Sequence, residues 1–425
     1  MTMTKKILTS IFIVLLLAVL GLGIYFFFSR QNSSGQDFGQ TVRNFFPFGR
    51  NSDKTLNDVG SGAISTTTPE NPIDMVEIIP RLREVSSEPT AGATAIDTPG
   101  KTTIRFVERA TGHVFETSTD SLSLIRISNT TIPKIYSAVW AEGGNAFIAQ
   151  YLKDDGETIE TIHARIEPAS QANLNEENVL ENLEITFLTP GIKSFAVSPK
   201  QNQIFFLSSN PNGASGILAK SNGDGKSEIF SSTFGEWSAS WPSTKIIALT
   251  SKPSADVPGY LYFLDPKTES FQKIMGGQRG LTALVSPDGG SVLFYENTNV
   301  FSLLSILERE TSKRIPLSLL TLPEKCVWSA LAPLLYCAVP KAIEQGAYPD
   351  DWYKGLISFS DDIWRINIET GQQDIVASLK DLSGKDIDAT NLILNERETY
   401  LLFLNKKDSS LWSLGLREEA TPEIF

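Results

Sequence analysis

The residue types able to do chemistry are few, and most of them lie in the last third of the chain. Tyr348, Asp350, Asp351, Trp352 and Tyr353 stand together in a polar stretch from Lys341 to Asp361. Carboxylates beside aromatic rings suit a partner-binding surface, because Tyr and Trp give large contact area at little cost in side-chain entropy. The same rings can instead fold back as a plug on neighbouring strands, and both readings stay open. The pairs Asp350-Asp351 and Asp361-Asp362 also raise glycosidase chemistry and calcium binding. Neither pattern is complete: adjacent residues alternate faces on a strand, and no full calcium loop surrounds them. The expectation is a solvated acidic loop. His113 and His163, with Cys326 and Cys337, are too few for a four-ligand zinc site, and there is no Gly-x-Ser-x-Gly elbow. The residues therefore predict no enzyme activity, no catalytic residue, no cofactor and no metal.

Composition narrows the partners. The 425 residues are 41% hydrophobic, enough for a sizeable core, and carry a net charge of -12 with a pI near 4.9. Lys and Arg are scattered singly, which argues against nucleic acid, whose phosphates demand a basic footprint.

The N-terminal part reads as a membrane anchor. A short tail, residues 1–6, ends in Lys5-Lys6 and precedes an uncharged, predominantly apolar run from Ile7 to Phe28. Such a run crosses a bilayer as a helix and is too long for the core of a cleaved leader. The paired lysines keep the tail cytoplasmic and send the rest across, so the expectation is a single-pass protein with its folded part extracytoplasmic. Residues 29–75 are rich in Ser, Asn, Gly, Thr and Pro and read as a flexible linker, with a reach on the order of 35 to 40 Å. Within it, Phe45-Phe46-Pro47-Phe48-Gly49-Arg50 is an aromatic departure from linker chemistry.

Residues 76–425 repeat. The sharpest copy runs Leu284 to Phe294: an apolar run, a turn on Pro287-Asp288-Gly289-Gly290, and a second apolar run, which together predict a tight hairpin. Second strands of the same kind recur at Ile104–Val107, Ala146–Ala149, Ile204–Leu207, Ile246–Leu249, Val292–Tyr295, Leu335–Ala338 and Leu401–Leu404. Most are about 43 to 45 residues apart, a propeller-blade period. Apolar-aromatic pairs such as Leu261-Tyr262 and Ile363-Trp364 mark third strands. Four antiparallel strands per repeat in a closed ring leave few exposed edges, so the expected fold is all-β, a seven-bladed β-propeller. The last repeat has room for only three strands, and Leu82 to Ser86 is expected to supply the missing outer one. Cys326 and Cys337 fall opposite one another on the sixth hairpin, where they either form a disulfide or pack as two small apolar side chains.

The Ser-Pro-Asp-Gly turn followed by an apolar run and an apolar-aromatic strand resembles the TolB-like or WD40-like (PD40) propeller repeats, over roughly Arg81 to Leu416. That resemblance implies a scaffold and no particular chemistry. Its loops between second and third strands share a face with those between blades, which groups the stretch around Trp352 with Ser251–Gly259 and Asp381–Asp388. The resulting expectation is a membrane-anchored envelope propeller that docks a protein partner or an envelope polymer. The alternative is a propeller that binds or hydrolyses a small molecule or glycan at its channel mouth.

Overall fold

The structure is a computed structural model that describes residues 78–167, 180–199, 202–298 and 301–417. The apolar run from Ile7 to Phe28, the linker and the Phe45–Arg50 cluster lie outside the described residues. Among the described residues no helix is long and apolar enough to cross a membrane.

Strands account for nearly all of the regular structure. Strand β1 (Leu82–Ser86) is followed by β2 (Thr90–Thr98), β3 (Lys101–Glu108), β4 (Val114–Ser118) and β5 (Ile125–Arg126), then by β6 (Ile135–Ala141), β7 (Ala146–Leu152), β8 (Ile159–Ile166) and β9 (Leu183–Phe187). The next group is β10 (Ile192–Val197), β11 (Gln203–Asn210), β12 (Gly213–Lys220) and β13 (Ser227–Ser232). Then come β14 (Trp237–Ser243), β15 (Ile246–Ser251), β16 (Pro258–Leu264), β17 (Phe271–Val285), β18 (Ser291–Asn297), β19 (Ser302–Glu308) and β20 (Lys313–Pro316). The chain closes with β21 (Cys326–Trp328), β22 (Leu334–Pro340), β23 (Asp361–Asn367), β24 (Gln373–Ser378), β25 (Ala389–Leu394), β26 (Tyr400–Asn405) and β27 (Leu411–Gly415).

Each sheet is an antiparallel meander. Strands β2–β5, β6–β9, β10–β13 and β21–β24 form four-stranded sheets, and β14–β20 form one of seven strands. In that larger sheet β17 serves twice: Phe271–Arg279 pairs with β16, and Arg279–Val285 pairs with β18. Gly277 and Gly280 take positive φ where the strand changes partner, a conformation that side chains with a Cβ resist. In the remaining sheet β1 pairs with β27, Leu82 opposite Leu414 and Glu84 opposite Trp412, so a strand from before the first repeat completes the last. First strands meet in succession, β2 against β6, β6 against β10, β10 against β14, β21 against β25 and β25 against β2, and β17 carries the large sheet from β14 to the Pro323–Lys325 turn that leads into β21, which closes a ring. At Gly92 the packing is so close that a Cβ would lie 1.9 Å from the Ala138 carbonyl oxygen, so only glycine fits.

The core explains the repeated runs. A second strand lies between flanking sheets on both faces and reads as a continuous apolar run rather than an alternation. Phe147, Phe205, Phe206, Phe294 and Phe403, all on second strands, are completely buried. Outer strands face water, and β20, Lys-Arg-Ile-Pro, has no buried residue. The turn of the sharpest repeat is held as its sequence requires: Asp288 Oδ1 accepts from Ser286 Oγ at 2.5 Å and from Gly290 N at 2.9 Å, and Gly289 has φ 72°.

Candidate functional site

The stretch from Lys341 to Ser360 joins β22 to β23 and contains one short helix, α1 (Asp350–Tyr353). It emerges on the face that also carries the β15–β16, β18–β19 and β24–β25 connections, and it is fastened to the first and last of these and to the end of β18. Asp350 Oδ2 accepts from Ala255 N at 2.5 Å, and the Tyr348 carbonyl accepts from Asn297 Nδ2 at 2.6 Å. Trp352 Nε1 donates to Asp388 Oδ2 at 3.0 Å.

The five residues singled out in this stretch therefore separate by role. Tyr348 is buried; its ring stacks on Phe359 at 5.9 Å and its hydroxyl donates to Glu344 O at 2.7 Å. Burial pushes that phenol up to about 12. Trp352 is 3% exposed, with the ammonium groups of Lys406 and Lys325 5.0 and 5.4 Å from its ring centre. Asp350 and Asp351 are half-buried, and Asp351 Oδ2 accepts from Ala347 N at 2.8 Å. Tyr353 alone presents its ring outward, 41% exposed, with its hydroxyl donating to Glu324 Oε1. Burial raises both the Glu324 carboxyl and the Tyr353 phenol, so both shifts favour the protonated forms. The insertion is thus part of the packing, with Trp352, Ile357 and Phe359 in one cluster with Trp328 and the disulfide.

Beneath Trp352 lies a polar cluster with no sequence signature. Lys325, in the 3-10 turn Pro323–Lys325 that leads into β21, is completely buried, as are Asp361 and Asp388. Its ammonium donates to Asp361 Oδ2 at 2.8 Å, to Ala389 O at 2.9 Å and to Asp388 Oδ1. Three donors meet three acceptors. Asp388 Oδ2 also accepts from Phe359 N at 3.0 Å, while Asp361 Oδ1 has no hydrogen-bond partner among the described residues. Burial, only partly offset by Lys325, raises Asp361 to about 6. Burial acts on Asp388 too, but Lys325 and the N–H donors overcome it and hold that carboxyl below its ordinary value. Asp361 is thus not the solvated acid expected from its sequence; strand pairing on β23 carries it inside. Two carboxyls with divided proton affinities suit acid-base work, yet these two are sealed from solvent and reach no substrate.

Cys326 follows Lys325 directly, pairs with Cys337 across β21 and β22, and is joined to it by a disulfide. His163 is buried on the opposite face, where Glu142 Oε1 takes hydrogen bonds from its Nε2 at 3.2 Å and from Ser221 Oγ at 2.7 Å. Serine and histidine both point at the carboxylate rather than at each other, so they form no nucleophile-base pair. His113 meets Thr131 Oγ1 at 3.1 Å. Among the described residues no group of three or more His, Cys, Asp or Glu side chains is placed to hold a metal ion. At the centre of the ring, β2, β6 and β25 with their neighbours line an apolar pocket of about 240 Å³ that includes Thr94, Val139, Trp140 and Asn391.

No protein-family model and no curated protein matches the chain. Solved structures do. The chain is similar to TolB from Acinetobacter baumannii, with 13% identity and a TM-score of 0.40 over 64% of this chain, and it spans 62% of the TolB chain's length. It is similar to an oligogalacturonate lyase in complex with manganese, with 10% identity and a TM-score of 0.46 over 80% of this chain and 98% of the lyase. The β-propeller domain of the Trilobed protease from Pyrococcus furiosus matches with 9% identity and a TM-score of 0.46, over 78% of this chain and 96% of that domain. The expectation of no enzyme activity is corrected by these structures, of which one is a lyase and another belongs to a protease. The closed ring of antiparallel sheets is a β-propeller.

Proposed function

We propose that this chain is a seven-bladed β-propeller held outside the cytoplasm by its N-terminal apolar helix and linker, where it recruits a protein partner or envelope polymer. Counting β17 as the outer strand of one blade and the inner strand of the next divides the seven-stranded sheet in two and makes the total seven. The anchor rests on the run from Ile7 to Phe28 behind Lys5-Lys6.

The recruiting surface is the face that carries the insertion. One observation supports it above the others: large apolar side chains remain uncovered on connection after connection of that face. They are Phe234, Val257, Phe301, Leu382 and, in the insertion, Tyr353 and Leu356, the last 72% exposed. Phe234 and Val257 line one cleft, and apolar groups exposed side by side mark interaction sites. Tyr348 and Trp352 support this surface from below, and Tyr353 is the contact residue of the original five. Crosslinking from intact membranes, with the full-length chain as bait, tests the reading. A partner should be captured by the natural chain and lost with Tyr353→Ser and Leu356→Ser at unchanged folding; identical capture by all three removes this face from consideration.

A second reading, that the propeller binds or hydrolyses a small molecule or glycan at its channel mouth, is favoured by the central pocket beside Val139 and Asn391. Val139→Trp, which fills the pocket, should abolish ligand binding under this reading and leave partner capture intact.

A further inference from the structure

We propose that a second site on the same face, an aromatic cleft beside β14, binds an extended proline-rich peptide that carries an acidic residue. The cleft measures about 370 Å³ and lies among the β13–β14 connection, the β15–β16 connection and the paired strands β16 and β17. Trp237 is its centre. Phe234 and Tyr262 each stand at 85° to the indole, at 5.0 and 5.7 Å, and Phe271 stacks on Tyr262 at 4.5 Å. The indole Nε1 donates to Phe234 O at 2.9 Å, which fixes the connection that brings Phe234 over the cleft. Phe234, Tyr260 and Phe271 nonetheless stay exposed.

The lining chooses the ligand. Recognition of a sugar ring places carboxylates and amides around several hydroxyls, since a site selects a hydroxyl by bonding to it. Among the described residues no carboxylate or amide lines this cleft. Its two serines are already engaged, Ser232 Oγ accepting from Phe234 N at 3.0 Å and Ser251 Oγ from Tyr260 N at 2.9 Å. Apart from Lys252, Val257, Pro258 and the serine and tyrosine hydroxyls, the lining is a set of ring faces and edges. A polyproline II segment needs little else: its rings pack on aromatics and its backbone is already ordered before binding. The volume admits on the order of one turn, about three residues.

Charge at the rim selects for an acidic neighbour. Lys252 lines the cleft, and the ammonium of Lys273 lies 4.9 Å from the Tyr260 ring centre. Lys252 also meets Glu236 at 3.2 Å, but these side chains are 69% and 66% exposed, and such surface pairs exchange partners at little cost. A carboxylate next to the prolines is the complement of two ammonium groups on a chain whose net charge is otherwise negative.

This inference rests on the reading of this face as a partner surface and narrows it to one chemistry. The test titrates the full-length chain in detergent with a capped peptide of four prolines and one glutamate, followed by tryptophan fluorescence and calorimetry. Saturable binding is expected, weakened at least about tenfold by Phe234→Ala and by Tyr260→Ala, both at exposed positions, with the unfolding midpoint unchanged. Lys252→Ala should weaken the acidic peptide about threefold and leave an all-proline peptide unaffected. Absence of saturable binding, or binding indifferent to both aromatic variants, overturns the proposal. So does saturable binding of a neutral hexasaccharide that these variants abolish while the peptide fails to bind. If the peptide fails but crosslinking through Tyr353 and Leu356 persists, only the cleft's ligand is refuted; if both fail, the partner surface falls with it.

Discussion

Glu142 and Asp361 are both carboxylates drawn out of water, and both meet a cation, yet Glu142 is held below its ordinary value while Asp361 is raised to about 6. The surroundings differ in the ratio of donors to carboxylates. Glu142 is a single carboxylate served by Ser221, His163 and Arg165, the last 47% exposed and so still partly hydrated. In the other cluster one ammonium serves two carboxylates at zero exposure, and Asp361 Oδ1 has no partner among the described residues. A cation in contact does not settle a carboxylate's proton affinity; the count of donors against burial does.

Removing each cation should expose this difference most strongly. Lys325→Met leaves two buried carboxylates without a counter-charge and is expected to cost about 3–5 kcal/mol. Arg165→Met removes a half-exposed partner from a carboxylate that keeps its other donors, and about 1 kcal/mol or less is expected. Denaturant unfolding at pH 7 measures both. Equal costs would break the comparison, because Lys325 would then have to be solvated.

Trp352 and Tyr353 extend the contrast within one turn of helix. Trp352→Ala opens a cavity over Lys325 and withdraws a donor from Asp388, with an expected loss of about 3–5 kcal/mol. Tyr353→Ser truncates a ring already 41% exposed, and a loss of about 1 kcal/mol is expected. A small effect at Trp352 would mean that the insertion lifts off its blade and that its rings are available to a partner.

The fold was legible in the sequence wherever one strand decides its own environment. Runs such as Ile204–Leu207 and Leu401–Leu404 are apolar throughout because both faces are covered, and Leu82–Ser86 announced itself as an outer strand with no blade of its own. The continuity of β17 was not legible, since glycines ordinarily interrupt a strand and this one bends through Gly276, Gly277 and Gly280. The site was harder. Lys325 sits in Pro-Glu-Lys-Cys and looks like any surface lysine; its carboxylates lie 36 and 63 residues later and meet it only when β23 and β25 take their places. Trp352 lies among acids and glycines, so its local composition says loop while its contacts say core. Aromatic rings in a polar insertion were the available signal, and they marked the place without separating support from contact.

The disulfide bears on the same cluster from its neighbour. Cys326 to Cys337 closes an 11-residue separation, for which the chain-entropy model gives about 3 kcal/mol. Reduction under native conditions, followed by chemical unfolding, should show a loss of that order. The pH response of the Lys325 cluster should keep its sign, since no cysteine contributes charge to it.

The smallest effect is the most discriminating, because it predicts opposite signs at the two carboxylates. Asp361 has a folded value of about 6 against an ordinary 3.8, so its contribution is fully present below 3.8 and is lost as pH rises through 6. Glu142 is shifted down from 4.5, so its contribution is present above 4.5 and is lost as pH falls through the folded value. His163, whose burial favours the neutral ring, adds to that acid-side loss. Unfolding free energies of the natural chain, Asp361→Asn and Glu142→Gln, each compared between pH 7 and pH 4, separate the two. Asp361→Asn should remove a gain on acidification and make the chain more acid-sensitive; Glu142→Gln should remove a loss and make it less so. The same direction in both variants would show that the two carboxylates share one environment, and the donor count would no longer distinguish them.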